Sequence, residues 1–226
     1  IGANTRINDA SRAFVAWTFK AGGVPSATGK RRTDNSPSET SLTTSSSQAK
    51  GANVYGNTDT ATNISAVKQS VNSAGNFSIT TYTAGTVSIG SGVHHICHGL
   101  SGTPDIFIVK KHSAAQSWAV WHSGSGNLTN GYLVLDTDAG IATGDLWGNT
   151  APDSTSINFG ENNFGCYNGD YVLYAWKAVA NVSAFGTYNG AGSAQTITTN
   201  FAPRFLLIKR ANASGNWFLV DSFRGA

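Results

Sequence analysis

Hydrophobic and polar residues alternate along most of the chain, in short runs separated by glycine. Near the start, Val15, Trp17 and Phe19 occupy alternate positions and would share one face of a strand. Runs of the same kind recur over residues 77–220, bounded by turn signals such as the Asn-Gly pair at Asn130. Alternation with a period of two predicts half-buried β-strands.

The remaining segments interrupt this pattern. Residues 26–60 show no hydrophobic period and are rich in Ser, Thr and Asn, which is typical of a linker or a surface loop. The basic triplet Lys30-Arg31-Arg32 lies in this segment, and a solvated loop is the favoured interpretation for it as well. Residues 63–71 are compatible with one or two helical turns. Strands are predicted at residues 77–83, 93–98, 106–109, 118–122, 132–135, 156–159, 171–178, 184–188, 195–198, 205–209 and 217–220.

The chain also repeats itself. Residues 104–111 read PDIFIVKK, and residues 203–210, which lie 99 positions later, read PRFLLIKR. The same offset carries the WAVWH that begins at Trp118 onto the WFLVD that begins at Trp217. Self-similarity at a fixed offset predicts an array of like structural units.

A second echo joins residues 14–21 to residues 171–178, which read FVAWTFKA and YVLYAWKA. The chain is therefore expected to open on the last strand of one unit and to stop partway into another. An unpartnered strand leaves backbone groups unpaired, so residues 14–21 are expected to complement residues 184–220, within one chain or between subunits. The predicted divisions are residues 1–25, the terminal strand of a preceding module, and residues 26–76, a polar linker or surface insert. They are followed by residues 77–180, a complete β-sandwich module, and residues 181–226, the first half of a following module.

Many short strands at intervals of about ten residues, without intervening helices, favour an all-β fold over a parallel α/β sheet. We expect antiparallel jelly-roll (lectin-like) β-sandwich modules in tandem.

Composition narrows the function. Charged residues make up 12% of the 226 residues and the net charge is +3. Basic residues are scattered, which argues against nucleic-acid binding, and no apolar run is long enough to insert into a membrane. The two cysteines, Cys97 and Cys166, are too few for a disulfide framework; one bridge stays open, and two buried thiols are the favoured interpretation.

Histidines are the candidate metal ligands. On a strand, His94 and His98 would share one face, so a zinc site would need further ligands such as His122 from the following hairpin. The favoured interpretation is that these are ordinary strand and turn residues, and no cofactor is expected.

Aromatic residues near turns are the candidate ligand platform. A ring packs on the C–H face of a sugar while a neighbouring amide binds its hydroxyls. Trp147, with Asn149 and Tyr132, is the best candidate, because Trp118 recurs as Trp217 and is more simply a scaffold position. No G-x-S-x-G elbow and no obvious carboxylate pair is present, so an enzyme is not expected.

Five motifs follow one another in order: FSITTYT (77–83), HGLSGTPDIFIVKK (98–111), WAVWH (118–122), LWGNTAP (146–152) and YVLYAWKAV (171–179). In order and spacing they resemble a module of unknown function found in tail and fibre-like structural proteins of bacteriophages, marine ones especially. The resemblance covers most of residues 65–226. It implies a lectin-like sandwich at the virion surface and supplies no catalytic residues.

On that resemblance, the expected function is that of a structural virion protein in a tail fibre, an appendage or a capsid-attached fibre. Its expected partners are further copies of itself and other virion proteins. Two alternatives stay open: a receptor-recognition module that binds host glycan, and a polysaccharide-degrading enzyme.

Overall fold

The structure is a computed structural model that describes residues 16, 18–19, 30–32, 39–41, 64–72, 74, 76–85, 94–154, 156–160 and 164–223. Thirteen strands lie within these ranges. In chain order they are β1 (Lys30–Arg32), β2 (Glu39–Ser41), β3 (Ile64–Asn72), β4 (Phe77–Ala84), β5 (His94–Cys97), β6 (Ile106–Lys111), β7 (Ala119–His122), β8 (Gly131–Val134), β9 (Ala142–Thr143), β10 (Ser156–Phe159), β11 (Gly169–Trp176), β12 (Phe205–Lys209) and β13 (Trp217–Asp221).

Seven of the strands form one antiparallel sheet, the central sheet, in the order β3-β4-β11-β6-β7-β8-β9. Three further sheets have two strands each: β1–β2, β5–β10 and β12–β13. The described residues contain one short 3-10 helix, Asp145–Trp147, and no helix with the length and apolar character needed to cross a membrane. The prediction of an all-β, antiparallel fold is confirmed.

The hydrophobic core lies between one face of the central sheet and the β5–β10 ribbon. Alternate residues of β6, such as Phe107 and Val109, point into it and are fully buried. The ribbon contributes Ile96 and Ile157 to the same cluster of buried side chains. The period of two in the sequence thus has a direct cause, because β4, β6, β8 and β11 alternate between buried and half-buried side chains.

Aromatic side chains form the centre of this core. The ring of Phe107 stacks on Trp121 at a centroid distance of 5.1 Å and meets Trp147 edge-on at 4.9 Å. Tyr82 and Tyr171, which are cross-strand partners, stack at 5.2 Å. Such pairs stabilise a core by about 0.5–1.5 kcal/mol each beyond the burial of their surface.

The structure corrects two predictions upstream of the core. Of the predicted helical segment 63–71, residues 64–71 are described and form a strand, because β3 pairs along β4 and belongs to the central sheet. The predicted boundary between residues 76 and 77 therefore falls between two paired strands. The basic triplet Lys30–Arg32 is a strand rather than a loop, and it pairs with Glu39–Ser41.

Two strands predicted near the C-terminus, at 184–188 and 195–198, are irregular and largely exposed. Their counterparts in the central unit are β4 and β5, which pair with β11 and β10. Among the described residues, no strand pairs with either of these two segments. A strand without a partner leaves its backbone groups to water, so these residues stay irregular despite their alternating pattern.

Most of residues 14–21 lie outside the described residues. Ala16, Thr18 and Phe19 are described; they are exposed and do not lie in a strand. The predicted complementation between this segment and residues 184–220 stays a prediction.

Candidate functional site

The predicted ligand platform lies at the turn that contains the 3-10 helix. After the helix, Gly148 and Asn149 both have positive φ, 57° and 52°, and this left-handed pair turns the chain back sharply. Trp147 donates its indole N–H to the carbonyl oxygen of Gly131 at 2.8 Å. The turn is thereby fixed to β8, which carries Tyr132.

The structure brings the three candidates together but buries the central ring. Trp147 has an exposed fraction of 0%, and its ring makes edge-type contacts with Phe107 at 4.9 Å and Phe159 at 5.9 Å. This placement corrects the expectation of an exposed platform, because no ring face is left for a sugar. Trp147 instead closes the core over β6.

The other two candidates also have structural contacts. Asn149 is exposed and donates from Nδ2 to Asp145 Oδ1 at 3.0 Å, which closes the turn. Tyr132 is half-buried, packs against the core and lies 6.1 Å from the ring of Phe164. Neither contact forms a cleft with the polar groups that a sugar site needs.

The histidines do not gather around a common point. His98 is fully buried; its Nδ1 accepts from the backbone N–H of Leu100 at 3.1 Å, so the proton is on Nε2, which faces the carbonyl oxygen of Asp153 at 3.2 Å. Both ring nitrogens are thus engaged. Among the described residues, no group of three or more His, Cys, Asp or Glu side chains is arranged to hold a metal ion.

His122 lies at the end of β7 and serves as a turn acceptor. Its Nδ1 accepts from the backbone N–H of Gly124 at 2.9 Å. Burial lowers the pKa of His122 below its ordinary value of 6.5, while the nearby carboxylate of Asp105 acts more weakly in the opposite direction. The neutral ring required by this hydrogen bond is therefore the favoured form. His94, the third candidate, is buried in the β5–β10 ribbon.

Cys97 and Cys166 are both buried, and no disulfide joins them. The interpretation as two buried thiols is confirmed, and the bridge left open by the sequence does not form.

The repeated sequence folds as two hairpins with the same register. In the first hairpin, β6–β7, Ile106 faces His122; in the second, β12–β13, Phe205 faces Asp221. Every pair of the first hairpin has its counterpart 99 residues later in the second.

The side-chain contacts of the hairpins are repeated as well. Lys110 Nζ lies 5.8 Å from the ring centroid of Trp118, and Lys209 Nζ lies 6.0 Å from that of Trp217. Each lysine also donates to a carbonyl oxygen of its hairpin loop, that of Gln116 in the first and the equivalent one in the second. The lysine thus ties the loop to the second strand of each hairpin.

At the end of each hairpin, a side chain accepts a hydrogen bond from the backbone N–H two residues later, but the residue type differs. In the second hairpin, the carboxylate of Asp221 accepts from the backbone N–H of Phe223 at 3.0 Å, as the imidazole of His122 does from Gly124. A histidine and an aspartate thus fill equivalent acceptor positions. The preserved element is the hydrogen bond rather than the residue type.

The second hairpin is docked on the edge of the central sheet. Trp217 donates its indole N–H to the carbonyl oxygen of Val134 at 3.0 Å, and Lys209 Nζ donates to that of Asp138 at 3.1 Å. The backbone N–H of Ile141 donates to the carbonyl oxygen of Ala211 in the hairpin loop at 2.7 Å. These contacts fix the loop end of the hairpin against the segment between β8 and β9.

The two hairpins differ in what they expose. In the first, the inward face consists of Phe107, Val109, Ala119 and Trp121, all at most 2% exposed. The equivalent face of the second, which we call the core-type face, consists of Leu206, Ile208, Phe218 and Val220. Phe218 is 61% exposed and Leu206 40%. The face that builds the core in one copy is turned to solvent in the other.

Phe19 connects the central unit to the second hairpin. Its ring lies 5.6 Å from that of Phe77, 5.8 Å from Trp176 and 6.3 Å from Phe205. Phe19 is the sequence counterpart of Trp176 at the offset of 157, and Phe205 is the counterpart of Ile106 at the offset of 99. Trp176 and Ile106 are cross-strand partners in the central sheet. The echo in the sequence therefore brings equivalent residues into equivalent neighbourhoods.

Sequence reasoning missed the core-type face. The signal was present, since the offset of 99 places Phe218 on Ala119 and Leu206 on Phe107.

No curated protein and no protein of solved structure matches this chain. A family model does match, over residues 32–226, a range that includes both hairpins. The chain belongs to the family DUF7483, a domain of unknown function.

Proposed function

We propose that this chain is a structural protein of a bacteriophage particle, part of a tail fibre, appendage or capsid-attached fibre at the virion surface. Its fold is proposed to be a tandem of jelly-roll β-sandwich units. The observation that carries the proposal is the duplicated hairpin, which keeps its register and its lysine–tryptophan contact 99 residues apart. Repetition of one structural unit is typical of extended, load-bearing proteins.

The low charge supports the same role. At 12% charged residues, the surface relies on Ser, Thr, Asn and Gly for solubility, and long-range repulsion between copies is weak. Units of this kind assemble through strand pairing and apolar faces. The proposed partners are further copies of the chain and other virion proteins.

The two alternative functions gain less from the described residues. A host-glycan-binding role depended on Trp147, which is buried. A polysaccharide-degrading role requires two carboxylates at a set separation across a groove, and the chain carries only 12 Asp and Glu residues. We therefore retain the structural role.

The proposal is tested by finding where the protein is located in purified phage particles. Antibodies raised against the recombinant chain are applied to purified phage particles and detected with gold in the electron microscope. Label on a fibre, tail or capsid projection is the expected result. Protein that is abundant in the infected-cell lysate but missing from purified particles, by gold label and by peptide mass spectrometry, would contradict the proposal.

A further inference from the structure

We propose that Asn189 is a site of spontaneous deamidation, where the Asn189–Gly190 peptide closes to a succinimide, and that Gln195 promotes the closure. The three residues lie in the irregular segment between β11 and β12. The modification changes the chain itself and does not depend on the proposed virion role.

The reaction requires only the chain and one water molecule. The backbone nitrogen of Gly190 attacks the Cγ atom of Asn189, a bond forms between these two atoms, and the Cγ–Nδ2 bond breaks. The proton lost by the attacking nitrogen ends on the departing amide, which leaves as ammonia. Water then opens the succinimide at either carbonyl carbon and gives aspartate or isoaspartate. Glycine favours the attack because no Cβ obstructs the approach of its backbone.

The sequence has three Asn-Gly pairs, which begin at Asn130, Asn168 and Asn189, and the structure restrains them differently. At the first pair, the N–H of Gly131 donates to the carbonyl oxygen of Asn127 at 3.1 Å. The side-chain oxygen of Asn130 is also buried. The attacking nitrogen is therefore engaged, and the amide that must be attacked is shielded from water.

The pair at Asn168 is held by the central sheet. Gly169 is the first residue of β11 and pairs with Ala84 of β4. The N–H of Asn168 donates to the carbonyl oxygen of Gly85 at 2.9 Å. Lys111 packs so closely that a Cβ on Gly169 would lie 2.4 Å from the lysine Cε. Ring closure would have to bend a backbone that is fixed on both sides of the reacting peptide.

The pair at Asn189 has neither restraint. Asn189 and Gly190 are both exposed and lie outside the strands. No described backbone carbonyl accepts the N–H of Gly190, and a Cβ on this glycine would meet no described atom within 4 Å. The nitrogen can therefore reach the side chain without breaking a backbone hydrogen bond or leaving a sheet.

Gln195 supplies a contact that favours the reaction. Its Nε2 donates to the carbonyl oxygen of Asn189 at 3.1 Å. This oxygen belongs to the peptide group whose nitrogen attacks, and it takes up negative charge when that nitrogen loses its proton. A donor placed on the oxygen stabilises the developing charge, as the donors of an oxyanion hole do.

The experiment follows the native full chain over time at mildly alkaline pH and physiological temperature. Trypsin gives one peptide, residues 178–204, that contains Asn189, and another, residues 112–177, that contains Asn130 and Asn168. Fragment-ion mass spectrometry measures conversion at each asparagine, and a sample digested at time zero corrects for conversion during digestion. Asn189 should convert faster than the other two by about tenfold or more, because they react only after local opening. In urea the three rates should become similar.

Two variants make the test specific. Gly190→Ala should slow conversion because the added Cβ hinders the attack, and the open space around it leaves the fold intact. Gln195→Ala should slow conversion of Asn189 in the native chain by about two- to tenfold, the contribution of one hydrogen bond, and should not change the rate in urea. A bond that only restrained the segment would have the opposite effect, since its loss would speed the reaction.

A native wild-type chain in which Asn189 converts no faster than Asn130 and Asn168 overturns the proposed site. A native Gln195→Ala chain that converts at the wild-type rate or faster overturns the role of Gln195.

Discussion

The indole N–H of Trp217 donates to the carbonyl oxygen of Val134 at 3.0 Å, and this bond joins the second hairpin to the edge of the central sheet. The contact pairs a residue of β13 with the end of β8. Trp118, the counterpart of Trp217 in the first hairpin, lies just before β7, and its backbone is bonded to Leu135 and Asp136 of the same sheet edge. The docking bond is therefore a property of the second copy.

Trp217→Phe should loosen the second hairpin without unfolding the central unit. A neutral hydrogen bond of this kind contributes about 0.5–1.5 kcal/mol, so amide exchange in residues 205–221 should accelerate by about three- to tenfold. Hydrogen–deuterium exchange with mass spectrometry measures this. Trp118→Phe is the matched control and should leave exchange in the second hairpin unchanged; equal acceleration in both variants would contradict the docking role.

Trp147→Ala should destabilise the whole central unit. The change removes a fully buried ring that contacts Phe107 and Phe159, and it leaves the carbonyl oxygen of Gly131 without its donor. The expected loss is about 3–5 kcal/mol of unfolding free energy, measured by urea denaturation. Asn149→Gly, two residues away, should change stability little because glycine tolerates the positive φ. A stable Trp147→Ala protein would show that the indole is not a core residue.

His122 should make stability depend on pH. Because its folded-state pKa lies below the ordinary 6.5, the unfolded chain binds more protons, and the free energy of unfolding falls as pH drops through about 6.5 until the folded-state pKa is passed. His122→Asn keeps an acceptor for the N–H of Gly124 and removes the titration. Its melting temperature should change less than that of the wild type between pH 7.5 and pH 5.5.

The equivalent position in the second hairpin supports that choice of variant, since Asp221 accepts the same bond with a side-chain oxygen. His122→Ala is the matched loss-of-acceptor variant and should lower stability at both pH values. A profile that is unchanged in His122→Asn would show that another group controls it.

Tyr171 should resist ionisation. Burial is the largest cause and raises the pKa of Tyr171 from 10.0 to about 12, while the hydrogen bond with the backbone of Tyr167 acts in the opposite direction. Burial also raises the pKa of Tyr82. A raised folded-state pKa means that stability is fully present below pH 10 and is lost as pH rises toward 12. Tyrosinate absorbance should therefore show late-titrating tyrosines that ionise with alkaline unfolding. Tyr171→Phe should remove one of them; ionisation of all seven near pH 10 in the folded protein would contradict the assignment.

The alternating pattern predicted most strands of the central unit, including β4 and β11, which pair with each other although they lie far apart in the chain. The strand at 205–209 was predicted with its observed bounds, because β13 follows it within a few residues and supplies its hydrogen bonds. The predicted strand at 195–198 had the same alternation but no strand beside it. Periodicity reports which residues share a face; it does not report whether a neighbour is present.

Strand β3 escaped prediction for a different reason. Its buried face is polar in part: Gln69 is 4% exposed and donates to Thr80 Oγ1 and to the carbonyl oxygen of Cys97. A polar residue on a covered face hides the period on which sequence analysis depends. Trp147 was misjudged because it lies in a turn, where alternation gives no direction for the side chain.

The matching hairpins have a consequence for how such proteins change length. Each hairpin contains its own loop, its lysine–tryptophan clasp and its closing acceptor, so the information for its shape is local. A gene segment of this kind can be copied without redesign of the neighbouring segments. A chain built in this way can gain or lose whole hairpin-bearing units, and its length then changes in discrete steps.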